Sequence, residues 1–465
     1  MRDLGSKSHQ LLPVERDRSV NSYRKIIDFA LPVGLESIAQ TSFSLIDQVI
    51  IGLLGTEAVA GVGLSNTISF TILLIYSAIG TGSGVLVAQA SGQKNMEEVS
   101  TITALGQMFA GIFGVCTGLP LMLFPAVILH WAGAQAEVAN GAAGYLQLFA
   151  AAAPFTVMSA VTTATFRSLN DTRTPMIITI AAVAFSTVTA FLLVLGIAPF
   201  PKLGVLGAGI ATLLAQALRC LILMIALYWR KEGPRWRWPW HCFGNNRIAR
   251  SLIEISYPLV LSELLWGISA FAYTVIFGRL GTNALAASQI VMVIESVFIV
   301  AAAGLPPAAV AFIGQAIGAD SIPSAKKNAG RVLRVGVLAG VLFTIVLVGA
   351  SFLLPILYPK VAREVLQLAF WGLLIAASVQ CAKVLNGVLG TGILPSGGDT
   401  KFVLAGHLVG SYLIGLPSAF LLGIFFRSSL GVFGARAIEE IVKVIAYFFR
   451  FRNSFWRRKS LAISD

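Results

Sequence analysis

The sequence predicts an all-α polytopic membrane protein with twelve transmembrane helices in two related six-helix bundles. Three observations predict it. The chain has 465 residues, 56% hydrophobic and 12% charged, with a mean hydropathy of +0.82. A soluble domain carries about 25% charged residues. The apolar residues collect into spans long enough to cross a bilayer core, which takes about 20 residues per helix. Finally, the chain repeats itself at an offset of 226 to 228 residues.

The spans come in order. Six lie at roughly 29–54, 61–90, 101–129, 141–165, 175–198 and 204–229. A basic linker follows, then six more at roughly 252–279, 284–317, 331–357, 364–391, 402–425 and 431–449. The expected organisation is a tail over 1–25, an N-lobe over 26–229, a linker over 230–250, a C-lobe over 251–450 and a tail over 451–465. Residues 1–25 are polar and lack the apolar run of a cleavable signal peptide. Of the 34 basic residues, 25 fall on the side of the termini and five on the other, which predicts cytoplasmic termini by the positive-inside rule. That distribution, in loops between spans, also accounts for the net charge of +13 without a nucleic-acid partner. The linker RKEGPRWRWPWHCFGNNRIAR alternates Arg with Trp and reads as an interfacial segment at the lipid headgroups.

The repeat is carried by several blocks in one order. IGLLGTEAVA at 51–60 matches FGRLGTNALA at 277–286, and Pro32 matches Pro258. Gln89 and Gly92 match Gln315 and Gly318. Asp171-Thr172-Arg173 matches Asp399-Thr400-Lys401, and LGVLGA at 203–208 matches LGVFGA at 430–435. Each half holds an even number of spans, so the halves are related by a pseudo-two-fold axis along the membrane normal. Halves of this kind enclose a cavity and rock to give alternating access.

Asp47 is the residue that points to function. It lies deep in the first span, and a carboxylate there costs about 2.5–3.5 kcal/mol to insert. No basic residue follows Lys25 within that helix. An isolated intramembrane acid can exchange a proton or attract a cation. Thr41, Ser44 and Asn66 are the neighbouring oxygens that would help it hold sodium. Thr162, Thr163, Ser186 and Thr187 are candidate partners from the fourth and fifth helices, although Ser and Thr in membrane helices usually bond within the bundle. Glu36, Glu263 and Glu295 are further acids in spans, and Lys383 is a base that can neutralise Glu263 or Glu295. Asp171 and Asp399 are expected to cap the helices that follow them. His407 lies alone in an apolar span and reads as a packed residue. Cys116, Cys220, Cys242 and Cys381 lack metal-ligand spacing. No GxxxxGK[ST] loop is present, so nucleotide hydrolysis is not expected to drive the chain directly. No cofactor is expected beyond a coupling ion.

The chain resembles the multidrug and toxic compound extrusion (MATE) family. The features that carry the resemblance are Asp47 just before IGLLGTEAVAG, the AQASG end of the second span, LNDTRTP after the fourth, and GVLGTGILPSGGDTKF after the tenth. It covers Lys25 to Arg450. It implies a V-shaped pair of six-helix lobes, working as an antiporter that exports amphipathic, often cationic compounds against inward protons or sodium. It implies that Asp47 is the N-lobe cation-coupling acid, which sodium can also use, and that Glu263 is the C-lobe acid. Gln40, seven residues before Asp47 on one helical face, matches a polar cavity position. Ser44, Asn66, Thr163 and Gln289 complete the candidate substrate-binding set. The family branch that uses Glu263 also carries an acid in the tenth helix, where this chain has Ala377, with Gln380 and Lys383 nearby. The expected partners are a small-molecule substrate, the coupling ion and membrane lipid. The expected state is a monomer in the plasma membrane, without enzymatic activity. Two other readings remain open: a lipid-linked saccharide flippase, which needs a strongly basic cavity, and a membrane-embedded transferase, which needs clustered polar catalytic residues at one membrane face.

Overall fold

The computed structural model describes residues 14–131, 135–197, 199–230, 233–235 and 246–453. These residues form helices and connecting turns. The N-terminal half contains α1 (Val14–Gly52), α2 (Thr56–Gly92), α3 (Met96–Leu123), α4 (Ala136–Ser168), α5 (Arg173–Leu195) and α6 (Val205–Tyr228). The C-terminal half contains α7 (Asn246–Arg279), α8 (Thr282–Gly318), α9 (Ile322–Phe352), α10 (Arg363–Ser396), α11 (Thr400–Phe425) and α12 (Ser429–Asn453). Ten of the twelve are long and apolar enough to span a membrane without a sharp bend. The eleventh, α10, bends by 52° after Ser378. The twelfth, α12, carries Glu439, Glu440 and Lys443, but Glu439 and Lys443 are buried inside the lobe rather than turned to lipid. Its 25 residues reach about 37 Å, longer than a hydrocarbon core of about 30 Å.

The first helix is longer than the apolar pattern requires. It begins at Val14, inside the expected 1–25 tail, because its polar first turns continue the helical backbone beyond the apolar run. Of the 230–250 linker, residues 231–232 and 236–245 lie outside the described residues, as do 1–13 and 454–465. The helix after the linker starts at Asn246.

The repeat is visible in the backbone. Pro32 and Pro258 sit inside α1 and α7. Gly55 (φ 111°) and Gly281 (φ 115°) cap the starts of α2 and α8 in a conformation that favours glycine. Lys94 and Asp320 take left-handed φ of 60° and 54° after α2 and α8. Asn170 and Gly398 do the same after α4 and α10, at 63° and 74°. Contacts between the halves repeat as well. A Cβ on Gly92 would overlap the Gln315 carbonyl, and one on Gly318 would overlap the Gln89 carbonyl. The ends of α2 and α8 therefore cross with backbone against backbone. Those ends lie on the side of the bundle that carries the termini.

Leu31, Val49, Phe271, Leu338 and Ile345 are exposed along the outside of the helices. In a bilayer they form an apolar belt, and the backbone polar groups are satisfied within each helix.

Candidate functional site: two joined cavities between the acids

Asp47 projects from α1 into a cavity of about 550 Å³ within the N-lobe. Gln40, Asn66, Tyr145, Ser186, Thr212, Gln216 and Arg219 share this lining. Asp47 Oδ1 accepts a hydrogen bond from Thr187 Oγ1 on α5 at 3.0 Å. The Tyr145 hydroxyl donates to Asn66 Oδ1 at 3.1 Å. Among the described residues no cationic side chain forms an ion pair with Asp47. The seven-residue spacing of Gln40 and Asp47 thus places both on the cavity face of α1. Thr41 turns away, donating to the Ser37 carbonyl of its own helix at 3.0 Å. The side chain of Ser44 lies outside the described residues.

A second cavity of about 450 Å³ lies between the lobes. Glu36, Arg167, Thr163 and Tyr76 line it from the N-lobe, and Glu263, Pro306 and Thr391 from the C-lobe. Gln40 and Arg219 line both cavities, so the two are joined at those residues. Glu263 is half-buried and forms no hydrogen bond or ion pair among the described residues. Thr163 Oγ1 is buried without a partner. The arrangement gives a polar path with, on each lobe, one acid that forms no ion pair among the described residues. Gln289 is exposed and lines neither cavity.

Glu36 is the site residue that the sequence undervalued. It is 1% exposed. Arg167 Nη2 donates to its Oε2 at 2.9 Å, Thr179 Oγ1 donates to its Oε1 at 2.9 Å, and Arg219 Nη2 lies 3.6 Å from that same oxygen. Arg167 counts as a loop charge in the sequence, and Arg219 has no partner within its own span. The available signal was Arg219 itself. A guanidinium in the middle of an apolar helix requires an internal counter-charge.

Across the chain, the MatE family profile matches residues 32–192 and 258–421. The second segment starts 226 residues after the first, at the repeat offset, and together they cover most of the chain. The chain belongs to the MatE family. Its relatives include the probable multidrug resistance protein YoeA of Bacillus subtilis, 25% identical over 402 residues, covering 84% of this chain and 86% of that one. The probable multidrug resistance protein NorM of Bradyrhizobium diazoefficiens is 27% identical over 434 residues, with 90% of each chain covered. Among solved structures, an outward-facing multidrug resistance MATE family transporter superposes with a TM-score of 0.85 at 18% identity, over 94% of this chain and 97% of that one. The bent form of the Vibrio cholerae MATE transporter VcmN gives 0.83 at 20% identity, over 96% and 100%. The fold is therefore the twelve-helix, V-shaped MATE fold.

In the C-lobe of this MatE chain some expectations hold and others do not. Ala377 is buried among apolar residues. Lys383 pairs with Glu295 and not with Glu263. Asp399 does not cap α11 with its side chain; it pairs with Arg450 Nε at 2.6 Å. The expectation holds for Asp171, whose Oδ1 accepts from the Thr174 backbone N–H at 3.1 Å. Both carboxylates take an arginine, Asp171 from Arg230 at 2.9 Å and Asp399 from Arg450 at the end of α12, so the ion pair alone does not decide which of them caps. His407 is not alone either, because it neighbours the charges of Glu439, Glu440 and Lys443. Glu439 accepts from Tyr273 at 2.6 Å, Ser411 at 2.5 Å and Lys443 at 3.0 Å. Glu440 pairs with Lys443 at 3.1 Å and accepts from Asn386 at 2.6 Å. These bonds tie α7, α10 and α11 to α12, while Asn386 Oδ1 and His407 Nδ1 are buried without a partner.

Proposed function

We propose that the protein is a secondary active multidrug efflux antiporter. It exports amphipathic, cationic compounds in exchange for inward protons, by alternating access between its two lobes. It sits in the cell's inner membrane with both termini in the cytoplasm. Asp47 carries this reading: an intramembrane carboxyl lining a large cavity, held by one hydroxyl and, among the described residues, neutralised by no cation. When charged it attracts a cation, and when protonated it releases one. Transport and proton uptake then compete for one group.

The cavity lining favours a proton over sodium. Among the described residues Asp47 is the one acid that lines this cavity, and no second carboxylate stands beside it to help hold a metal ion. The names of the relatives, multidrug resistance proteins, support the substrate class. Everted vesicles placed in a solution of a cationic dye test the reading. A pH gradient alone should drive dye accumulation and a sodium gradient alone should not. The reverse result assigns the coupling to sodium, and accumulation under neither gradient removes the antiport reading.

A further inference from the structure

Two guanidinium groups meet one carboxylate at the junction of the cavities. Glu36 has two oxygens, and they already serve Arg167, Thr179 and, at a longer 3.6 Å, Arg219. The cluster therefore holds one positive charge in excess, mostly inside protein. A guanidinium presents five N–H donors. The Nε atoms of both Arg167 and Arg219 are buried without a partner. The Thr163 hydroxyl, on the same cavity wall, is also buried without a partner. Glu263 faces the cavity from the other lobe yet forms no ion pair with either arginine. Among the described residues, Arg219 is the one cation that lines both cavities.

We propose that Arg219, with Arg167 and Thr163, forms a subsite for a carboxylate on the transported molecule. Arginine suits this task, because its planar fork binds a carboxylate through two parallel bonds. Asp47 lies further along the same lining, so an amphipath can place an amine near Asp47 and a carboxylate at Arg219. The preferred substrates then include zwitterions as well as simple cations. A carboxylate seated at Arg219 balances the excess positive charge of the cluster, and a cationic ester of the same molecule adds to it. The subsite rests on reading the cavities as the substrate path.

Rhodamine 110 and its methyl ester, rhodamine 123, differ only at the carboxyl group and serve as probes. Their affinities for the purified full-length protein, measured by fluorescence anisotropy in zwitterionic-lipid nanodiscs, test the subsite without transport. The acid should bind about tenfold tighter than the ester, the scale of one charge-assisted hydrogen bond. In Arg219→Gln the ratio should fall to about one, and in Arg219→Lys to an intermediate value, as expected when charge is kept but the fork is lost. A measurement on the unaltered protein covers the case in which those variants fail to fold: benzoate should displace rhodamine 110 and benzyl alcohol should not. Equal affinities, a ratio unchanged in Arg219→Gln, or equal displacement by both competitors would each overturn the proposal. So would a preference abolished by phosphatidylglycerol in the nanodisc, which would make a lipid phosphate the occupant. Carboxylate-selective binding without dye transport in vesicles would leave the subsite standing and remove the efflux reading.

Discussion

Gln89 and Gln315 occupy equivalent places in the repeat and make equivalent bonds across the lobe boundary. Gln89 Nε2 donates to the Ser396 carbonyl oxygen at 2.7 Å, and Gln315 Nε2 donates to the Ser168 carbonyl oxygen at 2.7 Å. The acceptors, too, are related by the repeat offset of 228. Each lobe thus reaches into the other near the close crossing of Gly92 and Gly318. The two bonds latch the lobes together on the side of the termini.

Removing one latch should bias the lobes apart. Gln89→Ala deletes a bond with a net worth of about 0.5–1.5 kcal/mol and leaves the buried Ser396 carbonyl unsatisfied while the lobes stay closed. A change of about 1.4 kcal/mol shifts a two-state equilibrium tenfold. Gln315→Ala should act in the same direction and by a similar amount. Distance distributions between spin labels on the two lobes, near the ends of α2 and α8, should show a population with longer distances in both variants.

A bulkier side chain at the crossing should act more strongly. Gly92→Ala and Gly318→Ala each drive a methyl group into a backbone carbonyl of the opposite lobe, and backbone cannot rotate aside as a side chain can. Both variants should lose the closed arrangement on the terminus side while keeping their helix content. Circular dichroism together with the same spin-label distances checks this.

The pattern of spans, the repeat and Asp47 were legible because each is a local property of sequence. Hydropathy reports length, and Gln40 with Asp47 share a face because seven residues make about two helical turns. The Glu36 cluster was not legible, because it joins α1, α4, α5 and α6. Nothing in the neighbourhood of Arg219 in the sequence names a carboxylate 183 residues earlier. The α12 network was hidden for the same reason. Glu439 and Lys443 at i and i+4 look like a surface pair, and only the packing of Tyr273 and Ser411 against them shows that they are internal. Asp171 and Asp399 read alike in the sequence, and only the structure shows that Asp171 caps its helix while pairing with Arg230, whereas Asp399 pairs with Arg450 and makes no side-chain cap.

Glu36 should matter for stability as well as for transport. Glu36→Gln leaves Arg167 and Arg219 without their shared counter-charge. Breaking a buried ion pair from one side costs about 3–5 kcal/mol. The variant should unfold at a lower temperature in detergent, and chloride or another small anion should recover part of the loss by occupying the guanidinium donors. No change in the unfolding temperature would show that the arginines are adequately solvated by the cavity.

The α12 network offers a cycle of variants. Lys443→Met removes the base that Glu439 and Glu440 share in the lobe interior, with Tyr273, Ser411 and Asn386 as the hydrogen-bond donors named above that remain. It should be destabilised by several kcal/mol, as expected for an orphaned buried charge. The triple variant Glu439→Gln, Glu440→Gln, Lys443→Met removes all three charges and should be more stable than Lys443→Met alone. Denaturant unfolding of the two variants and the parent decides it. A triple variant less stable than the single one would show that charge pairing, and not mere satisfaction of donors, holds these helices.

Asp47→Asn is the sharpest test of coupling. The amide keeps the size of the carboxyl and can still accept from Thr187, so the α1–α5 contact survives. The membrane tolerates the change, since a neutral amide costs less to insert than an ion. Expression and unfolding temperature should therefore match the parent. An inward proton crossing 100 mV supplies about 2.3 kcal/mol, and a titrating group on the substrate path is needed to couple that energy to export. Concentrative export of a cationic dye should be lost, while passive equilibration through the cavity persists. Glu263→Gln removes the other unpaired acid, but Glu263 faces the cavity that also holds the Arg167–Glu36–Arg219 cluster, so its loss should alter export in a substrate-dependent way. Initial rates in vesicles across a range of pH separate the two variants. Export by Asp47→Asn at the parent rate, with the same pH dependence, would make Asp47 structural and move the coupling to Glu263, the other cavity acid without an ion pair among the described residues.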